Sequence, residues 1–300
     1  MIEPALSVRG LQKSYGDHQV LYGMDLEVAG GATLGLVGPN GVGKTTCLRC
    51  ITGLVHPDAG SIHIAGIDAR REPVKARRAL SYLPGEASVY RWMRGNEFLR
   101  FGLGFHADID DAFVRRCLDA FELPIDARLR SYSSGQKQML ALTVALGPRV
   151  PLYILDEPEK ALDASKRHAL RDLLRELRQR GSALLISSHH ISELEQLTND
   201  HAFLSRGRVL EGDEVDAMLA RLALRLRVRL AEGVALPDLA TTVTRLQDGS
   251  DWILEATSSE EAREVAMALL AHGALRLEVG AASLHDVYED LYVRQGSAPR

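Results

Sequence analysis

Short stretches of alternating apolar and polar residues open the chain. Ala5-Leu6-Ser7-Val8, Gln19-Val20-Leu21-Tyr22 and Met24-Asp25-Leu26-Glu27-Val28 each show the period of two of a half-buried strand, with turn material at Gly16-Asp17 and Gly30-Gly31. Thr33-Leu34-Gly35-Leu36-Val37 is a continuous apolar run and predicts a buried strand, followed by a helix that ends near Gly53. A β pair is expected around Gly60-Ser61-Ile62-His63-Ile64 and Gly66. A further buried strand, Ala79-Leu80-Ser81-Tyr82-Leu83, is stopped by Pro84-Gly85. Between residues 86 and 150 the period turns helical. Phe98, Phe101 and Phe105 form one stripe and Phe113, Cys117 and Leu118 a second, and both are read as core. Beyond it come a buried strand ending at Asp156-Glu157 and an amphipathic helix over 163–180. Leu170, Leu173, Leu174 and Leu177 lie on one face of that helix, and Gly181 closes it. A last buried run, Ala183-Leu184-Leu185-Ile186, leads into Ser187-Ser188-His189-His190. Strands alternating with helices predict an α/β core, with residues 87–150 as a helical insertion.

After residue 220 the pattern changes. Leu224-Arg225-Leu226-Arg227-Val228-Arg229-Leu230 alternates strictly, which predicts a strand with three arginines on one face, read as a solvated face in preference to a patch for an acidic partner. Pro237 is placed to open a short helix, and Asp248-Gly249-Ser250-Asp251 marks a hairpin between two short strands. Ser258-Ser259-Glu260-Glu261 caps a helix running to Gly273, and Leu275-Arg276-Leu277-Glu278-Val279 is a final strand. The order β-α-β-β-α-β suggests a small α+β ferredoxin-like domain over 221–300, beside a first domain over 1–220. Residues 295–300 read as a disordered tail.

Composition narrows the function classes. With 46% hydrophobic and 25% charged residues this is a globular chain, and a net charge of -4 gives no electrostatic reason to expect nucleic acid as partner. The three cysteines, Cys47, Cys50 and Cys117, supply one C-x-x-C but no second pair for zinc, and read as apolar fillers in a reducing compartment. The N-terminus does not read as a signal peptide, and no apolar run approaches the roughly 20 residues that span a bilayer.

The chemistry centres on Gly38-Pro39-Asn40-Gly41-Val42-Gly43-Lys44-Thr45-Thr46, which meets G-x-x-x-x-G-K-[ST] at every fixed position between a strand and a helix. Glycines let successive N–H groups turn inward as an anion nest, and the helix N-terminus adds positive potential. Lys44 supplies a point charge for the outer phosphates and Thr45 a hydroxyl for Mg²⁺. This predicts nucleoside triphosphate binding. An apolar strand that ends in Asp156-Glu157 suggests a cation and a reaction: Asp156 for Mg²⁺, and Glu157 as base toward an attacking water. Ser131-Tyr132-Ser133-Ser134-Gly135-Gln136 opens a helix and is a second candidate anion site.

Taken in order, the phosphate loop, the Ser-Ser-Gly-Gln segment, the Asp156-Glu157 strand end and His189 resemble the ATP-binding subunit of an ABC transporter. The resemblance implies a P-loop ATPase core with antiparallel and helical subdomains. It implies that Tyr15 stacks on adenine, that Thr45 and Asp156 hold Mg²⁺, that Glu157 is the base and that His189 senses the γ-phosphate. Ser133, Ser134, Gly135 and Gln136 would complete the site across a homo- or heterodimer, with Asp163 in the adjoining D-loop. A separate multi-spanning permease would be the partner, at the cytoplasmic face of the membrane. The closing Leu284-His285-Asp286-Val287-Tyr288-Glu289-Asp290-Leu291 segment is similar to the closing helix of ATPases of type-two exporters. The other reading is a soluble ATP-gated clamp without a permease. Three positions depart from the family pattern. Tyr132-Ser133-Ser134-Gly135-Gln136 stands for Leu-Ser-Gly-Gly-Gln, Lys160 replaces the D-loop serine, and Gly85 occupies the place of a glutamine that contacts Mg²⁺. Glu86, one residue on, is the expected substitute at the metal.

Overall fold

The computed structural model describes residues 3–294 except 87, 199, 211, 232, 240–242, 249–250 and 281. The chain divides into two compact units, residues 1–209 and 210–300.

In the first unit, β1 (Leu6–Tyr15) and β2 (His18–Val28) pair antiparallel. The sequence suggested three short strands; the structure has two long ones. Gly10 and Gly23 take φ of 60° and 81°, and the β1–β2 register shifts between Val8 and Leu11. Bulges carry each strand through the break in its alternation. β3 (Thr33–Val37) leads through the phosphate loop into α1 (Lys44–Ile51). Next come β4 (Ala59–Ile64), β5 (Ile67–Asp68), α2 (Pro73–Arg78) and β6 (Leu80–Leu83). The helical insertion holds α3 (Gly95–Leu103), α4 (Asp111–Phe121) and α5 (Ser134–Leu146). The unit finishes with β7 (Leu152–Asp156), α6 (Ala164–Gln179), β8 (Ala183–Ser188), α7 (Ile191–Leu194), β9 (Asp200–Ser205) and β10 (Arg208–Val209).

These strands form two sheets. One is antiparallel, in the order β2-β1-β4-β5. The other has the order β10-β9-β3-β8-β7-β6 and is parallel except at β10. One apolar cluster joins them: Leu6, Leu11, Leu21 and Met24 from the first, Leu48 and Ile51 from α1, and Leu36, Ile154 and Leu185 from the second. Burying each such side chain contributes about 1.5–3 kcal/mol, so α1 and the loop feeding it are held from both sides. All three cysteines are free and buried, and burial pushes the Cys50 thiol up to about 11 and that of Cys117 to about 12. They are packing groups and carry no nucleophile at neutral pH.

The second aromatic stripe is core, with Phe113 and Cys117 fully buried on α4. The first is not. Phe98 is buried, but Phe101 and Phe105 are 43% and 72% exposed. With Tyr90 and Trp92 they make a surface aromatic cluster, with ring centroids 5.1 Å apart for Tyr90–Trp92, 5.6 Å for Tyr90–Phe101 and 5.1 Å for Phe101–Phe105. Helical spacing puts residues on one face without saying what that face meets.

The second unit contains α8 (Gly212–Leu222), β11 (Arg225–Arg229), β12 (Thr244–Asp248), β13 (Asp251–Glu255), α9 (Ser259–Ala271), β14 (Arg276–Val279) and α10 (Leu284–Tyr288). Its sheet is antiparallel in the order β12-β13-β11-β14. The helix expected from Pro237 is absent from the described residues 234–239. Leu239 instead enters the core, and its carbonyl accepts from Arg245. On the arginine face of β11, Arg229 is exposed as expected, but Arg225 is largely withdrawn from solvent. Arg225 is bound by Glu255 and Asp290, and Arg229 by Asp251. The turn at Gly249-Ser250 and the tail over 295–300 lie outside the described residues.

Candidate active site

The C-terminal ends of β3, β6, β7 and β8 lie along one edge of the parallel sheet, where α/β proteins hold ligands. β3 delivers the phosphate loop. Gly41 and Gly43 take φ of 83° and 111°, which side chains rarely adopt, and a Cβ on Gly43 would stand 3.1 Å from Val20. Lys44 is buried, and its ammonium donates to the Gly38 and Pro39 carbonyls at 2.5 and 3.1 Å. Burial pulls the Lys44 ammonium below the ordinary lysine range, against the opposing charges of Glu157 and Asp156. A cavity of about 310 Å³ opens over this loop. Tyr15, Asn40, Gly41, Lys44, Thr45 and Thr46 line it, and Val20, Pro39, Gly43 and Glu157 complete its wall.

β7 ends on Asp156, which is buried and accepts from the Thr45 hydroxyl at 3.0 Å. Its other oxygen accepts from the Ser187 hydroxyl, opposite it in the β7–β8 register. The next residue, Glu157, stands at φ 49°, a strained conformation worth about 1–3 kcal/mol, and its amide donates to the Ser187 carbonyl at 3.0 Å. Its carboxylate meets His189 Nδ1 at 2.8 Å. Residues from three strand ends thus converge on one carboxylate pair beside a cavity that holds the phosphate loop. The donors Thr45 and Asp156 are hard oxygens brought together without another cation between them, a set that fits Mg²⁺.

Tyr15 reaches the cavity from the end of β1, half-exposed, with the Lys13 ammonium 5.6 Å from its ring centroid. An exposed aromatic face in that place suits a stacked base.

The other residues read from the sequence lie elsewhere. Ser133 N-caps α5: its hydroxyl accepts from the Gln136 amide at 3.1 Å, and the Gln136 side chain accepts from the Ser133 amide at 2.9 Å. Ser133 and Ser134 are exposed, and none of Ser133, Ser134, Gly135 or Gln136 lines the cavity of its own chain. Gly135 lies so near the Ala161 carbonyl that a Cβ would sit 2.6 Å from it. The unusual Tyr132 is buried, its hydroxyl donating to the Pro124 carbonyl at 2.8 Å. Asp163 N-caps α6, accepting from the Lys166 amide at 2.9 Å. Glu86 is exposed, and the residue that abuts Asp156 is Gly85.

Sequence reasoning missed Ser187, the clamp on Asp156 and Glu157. The only signal was a serine ending an apolar strand, and its role depends on a register that a single sequence does not display.

Comparison with known proteins agrees with this geometry. Residues 21–160 match the family described as ABC transporter. The chain is 31% identical to the daunorubicin/doxorubicin resistance ATP-binding protein DrrA of Streptomyces peucetius, across 95% of this chain and 91% of that one. It is 34% identical to the Nod factor export ATP-binding protein I of Paraburkholderia xenovorans (strain LB400), across 73% and 74%. A solved structure described as the ATP-binding subunit of an ABC transporter superposes with a TM-score of 0.66 at 29% identity, over 72% of this chain and 93% of that chain. Phosphate loop, acidic strand end and near-full-length relatives all lead to one assignment: the chain belongs to the ABC transporter family, as an ATP-binding, ATP-hydrolysing subunit.

Proposed function

We propose that this subunit drives outward transport through a multi-spanning permease carried on another chain, with MgATP held between two ATPase subunits. The observation that carries the reading is that Thr45 and Glu157, on the wall of the phosphate-loop cavity, are hydrogen-bonded to Asp156 and His189 behind them. That is an arrangement for hydrolysis, whereas a site that only bound nucleotide would have no use for a strained, buried-edge glutamate. The names of the two relatives, drug resistance and export, support the direction.

The roles follow from position. On nucleotide entry the Lys44 ammonium exchanges the Gly38 and Pro39 carbonyls for phosphate oxygens, a stronger charge-assisted pairing. The inward-turned amides of the loop and the start of α1 take the remaining phosphate charge. Thr45 and Asp156 are the proposed Mg²⁺ ligands; the bound ion would neutralise charge developing on the phosphates. Glu157 takes the proton from the attacking water, with His189 fixing its carboxylate from the other side. Tyr15 stacks on the base.

The exposed Ser133–Gln136 turn supports a two-chain site, because it presents a capped helix N-terminus away from its own cavity. For the permease, no helix among the described residues is long and apolar enough to cross a membrane. The Tyr90–Trp92–Phe101–Phe105 cluster is a contiguous apolar surface of the kind that marks a partner contact. The test is to tag the chain at its natural level, solubilise membranes gently and identify what co-purifies. A multi-spanning protein in near one-to-one ratio is expected, with less of it recovered when Trp92 and Phe105 are both replaced by serine. Recovery in the soluble fraction alone would favour an ATP-gated clamp.

A further inference from the structure

Gly85 and Lys160 lie beside Asp156 and Glu157. Gly85 follows β6 and packs against the proposed metal ligand: a Cβ built on it stands 3.2 Å from Asp156 Oδ2 and 3.3 Å from Asp156 Cγ. The loop therefore approaches the carboxylate so closely that a side chain there would make Asp156 give way by a few tenths of an ångström. Lys160 ends the turn that leaves Glu157, its amide donating to the Glu157 carbonyl at 3.1 Å. That turn is held tightly, with Glu157 and Ala161 both in the left-handed region. From it the Lys160 side chain crosses to the other loop, and its Nζ lies 3.5 Å from the Gly85 carbonyl. The same side chain lines a cavity of about 200 Å³ with Glu157 and His189.

β6 and β7 are paired as far as Leu83–Leu155. Past that pair, among the described residues, no backbone hydrogen bond joins 84–86 to 156–160. The Lys160 ammonium is a polar link between the two strand exits.

We infer that Lys160 is a positioning residue for hydrolysis: it ties the Pro84–Glu86 loop to the turn that carries Glu157, and so sets how Gly85 rests on Asp156. The inference depends on the reading of Asp156 and Glu157 as metal ligand and base. A lysine-to-carbonyl contact at 3.5 Å on an exposed side chain adds little to stability, so its effect is on placement and not on the fold. Placement matters here because displacements of about 1 Å at a reacting centre can cost up to about 100-fold in rate.

The experiment uses the full chain with a nitroxide label on Ser88→Cys, an exposed site three residues beyond Gly85. The three native cysteines are buried and leave the label specific. Lys160→Met is expected to sharpen the label's spectrum and lower kcat about 3- to 10-fold, with ATP affinity within about twofold of wild type. Lys160→Arg, which keeps the charge and reach, should return both. An unchanged spectrum in Lys160→Met overturns the proposal, as does a changed spectrum with wild-type kcat. Glu157→Gln run alongside separates the two readings. Full turnover in Glu157→Gln removes the base assignment and the proposal with it. Slow Glu157→Gln beside an unaltered Lys160→Met removes the Lys160 role alone.

Discussion

In the proposed reading Lys44 serves binding and Glu157 the chemistry, and single substitutions should separate them. The Lys44 ammonium is buried on the carbonyls of its own loop, so it is a preplaced cation awaiting a better acceptor. Lys44→Ala removes it from a site that has no other buried cation beside the loop among the described residues, and tight ATP binding should be lost. Glu157→Gln keeps the size, the strained backbone and a hydrogen-bonding group for His189, but not the base. ATP affinity should persist while turnover falls about 10²- to 10⁴-fold, the usual worth of a general base. A fluorescent-nucleotide titration and a phosphate-release assay on the same two variants check both halves. Lys44, Thr45, Asp156, Glu157 and His189 were all legible in the sequence because each ends or follows an apolar strand. Ser187 was not, and Lys160 stood out only as a departure from the family pattern, without its contact. Their partners, Asp156 and Gly85, lie 31 and 75 residues away in the chain, and only the sheet register brings them together.

At the scale of elements, α4 shows how the helical insertion is fastened to the core of the first unit. Asp110 N-caps α4 by accepting from the Phe113 amide at 2.9 Å, and the same carboxylate binds Arg180 at 2.7 Å and Arg149 at 3.4 Å. Arg180 stands at the end of α6 and lies over the Phe113 ring, 5.0 Å from its centroid. Burial alone would raise the Asp110 carboxyl, but the Phe113 amide and the two guanidiniums outweigh it and hold the group below its ordinary value. A carboxyl depressed on folding contributes stability above its unfolded value and loses it as pH falls through the lower folded one. Asp110→Ala should therefore cost about 1–2 kcal/mol near neutral pH, from the lost cap alone. The deficit should begin to shrink below about pH 4, where the unfolded carboxyl takes up its proton, and go on shrinking until the pH passes the lower folded value. Urea unfolding of both proteins at neutral and acid pH reads this directly, and an equal deficit at both would leave the ion pairs without a role. The helices of this insertion were readable from periodicity, yet Phe101 and Phe105 were read as core. The hydrophobic pattern locates an apolar face without its limits: Phe101 lies where the face of α3 reaches the surface, and Phe105 lies beyond the end of that helix.

For the whole molecule, the division into two units has a functional corollary. Every residue that lines the nucleotide cavity, from Tyr15 to Glu157, belongs to residues 1–209. The second unit closes a core of its own around Leu226, Val228, Leu254, Val265 and Leu269, and pins its central strand with Arg225–Glu255, Arg225–Asp290 and Arg229–Asp251. The sequence marked β11 by its alternation and α9 by its capping box, but it placed a helix at Pro237 that the described residues 234–239 do not form. It misjudged Arg225, because alternation gives the face of a side chain and not the acids that the neighbouring strand and the closing helix bring to it. Since neither the core nor the ion pairs of the second unit include a cavity residue, a chain ending at Val209 should fold and bind ATP with an affinity within about threefold of the full chain, a difference below about 1 kcal/mol. Nucleotide titration of the truncated and full-length proteins measures it. A loss of tenfold or more would mean that residues 210–300 support the nucleotide site. An unchanged affinity would leave the second unit free to serve the assembly, where its effect should be sought in transport and in permease recovery.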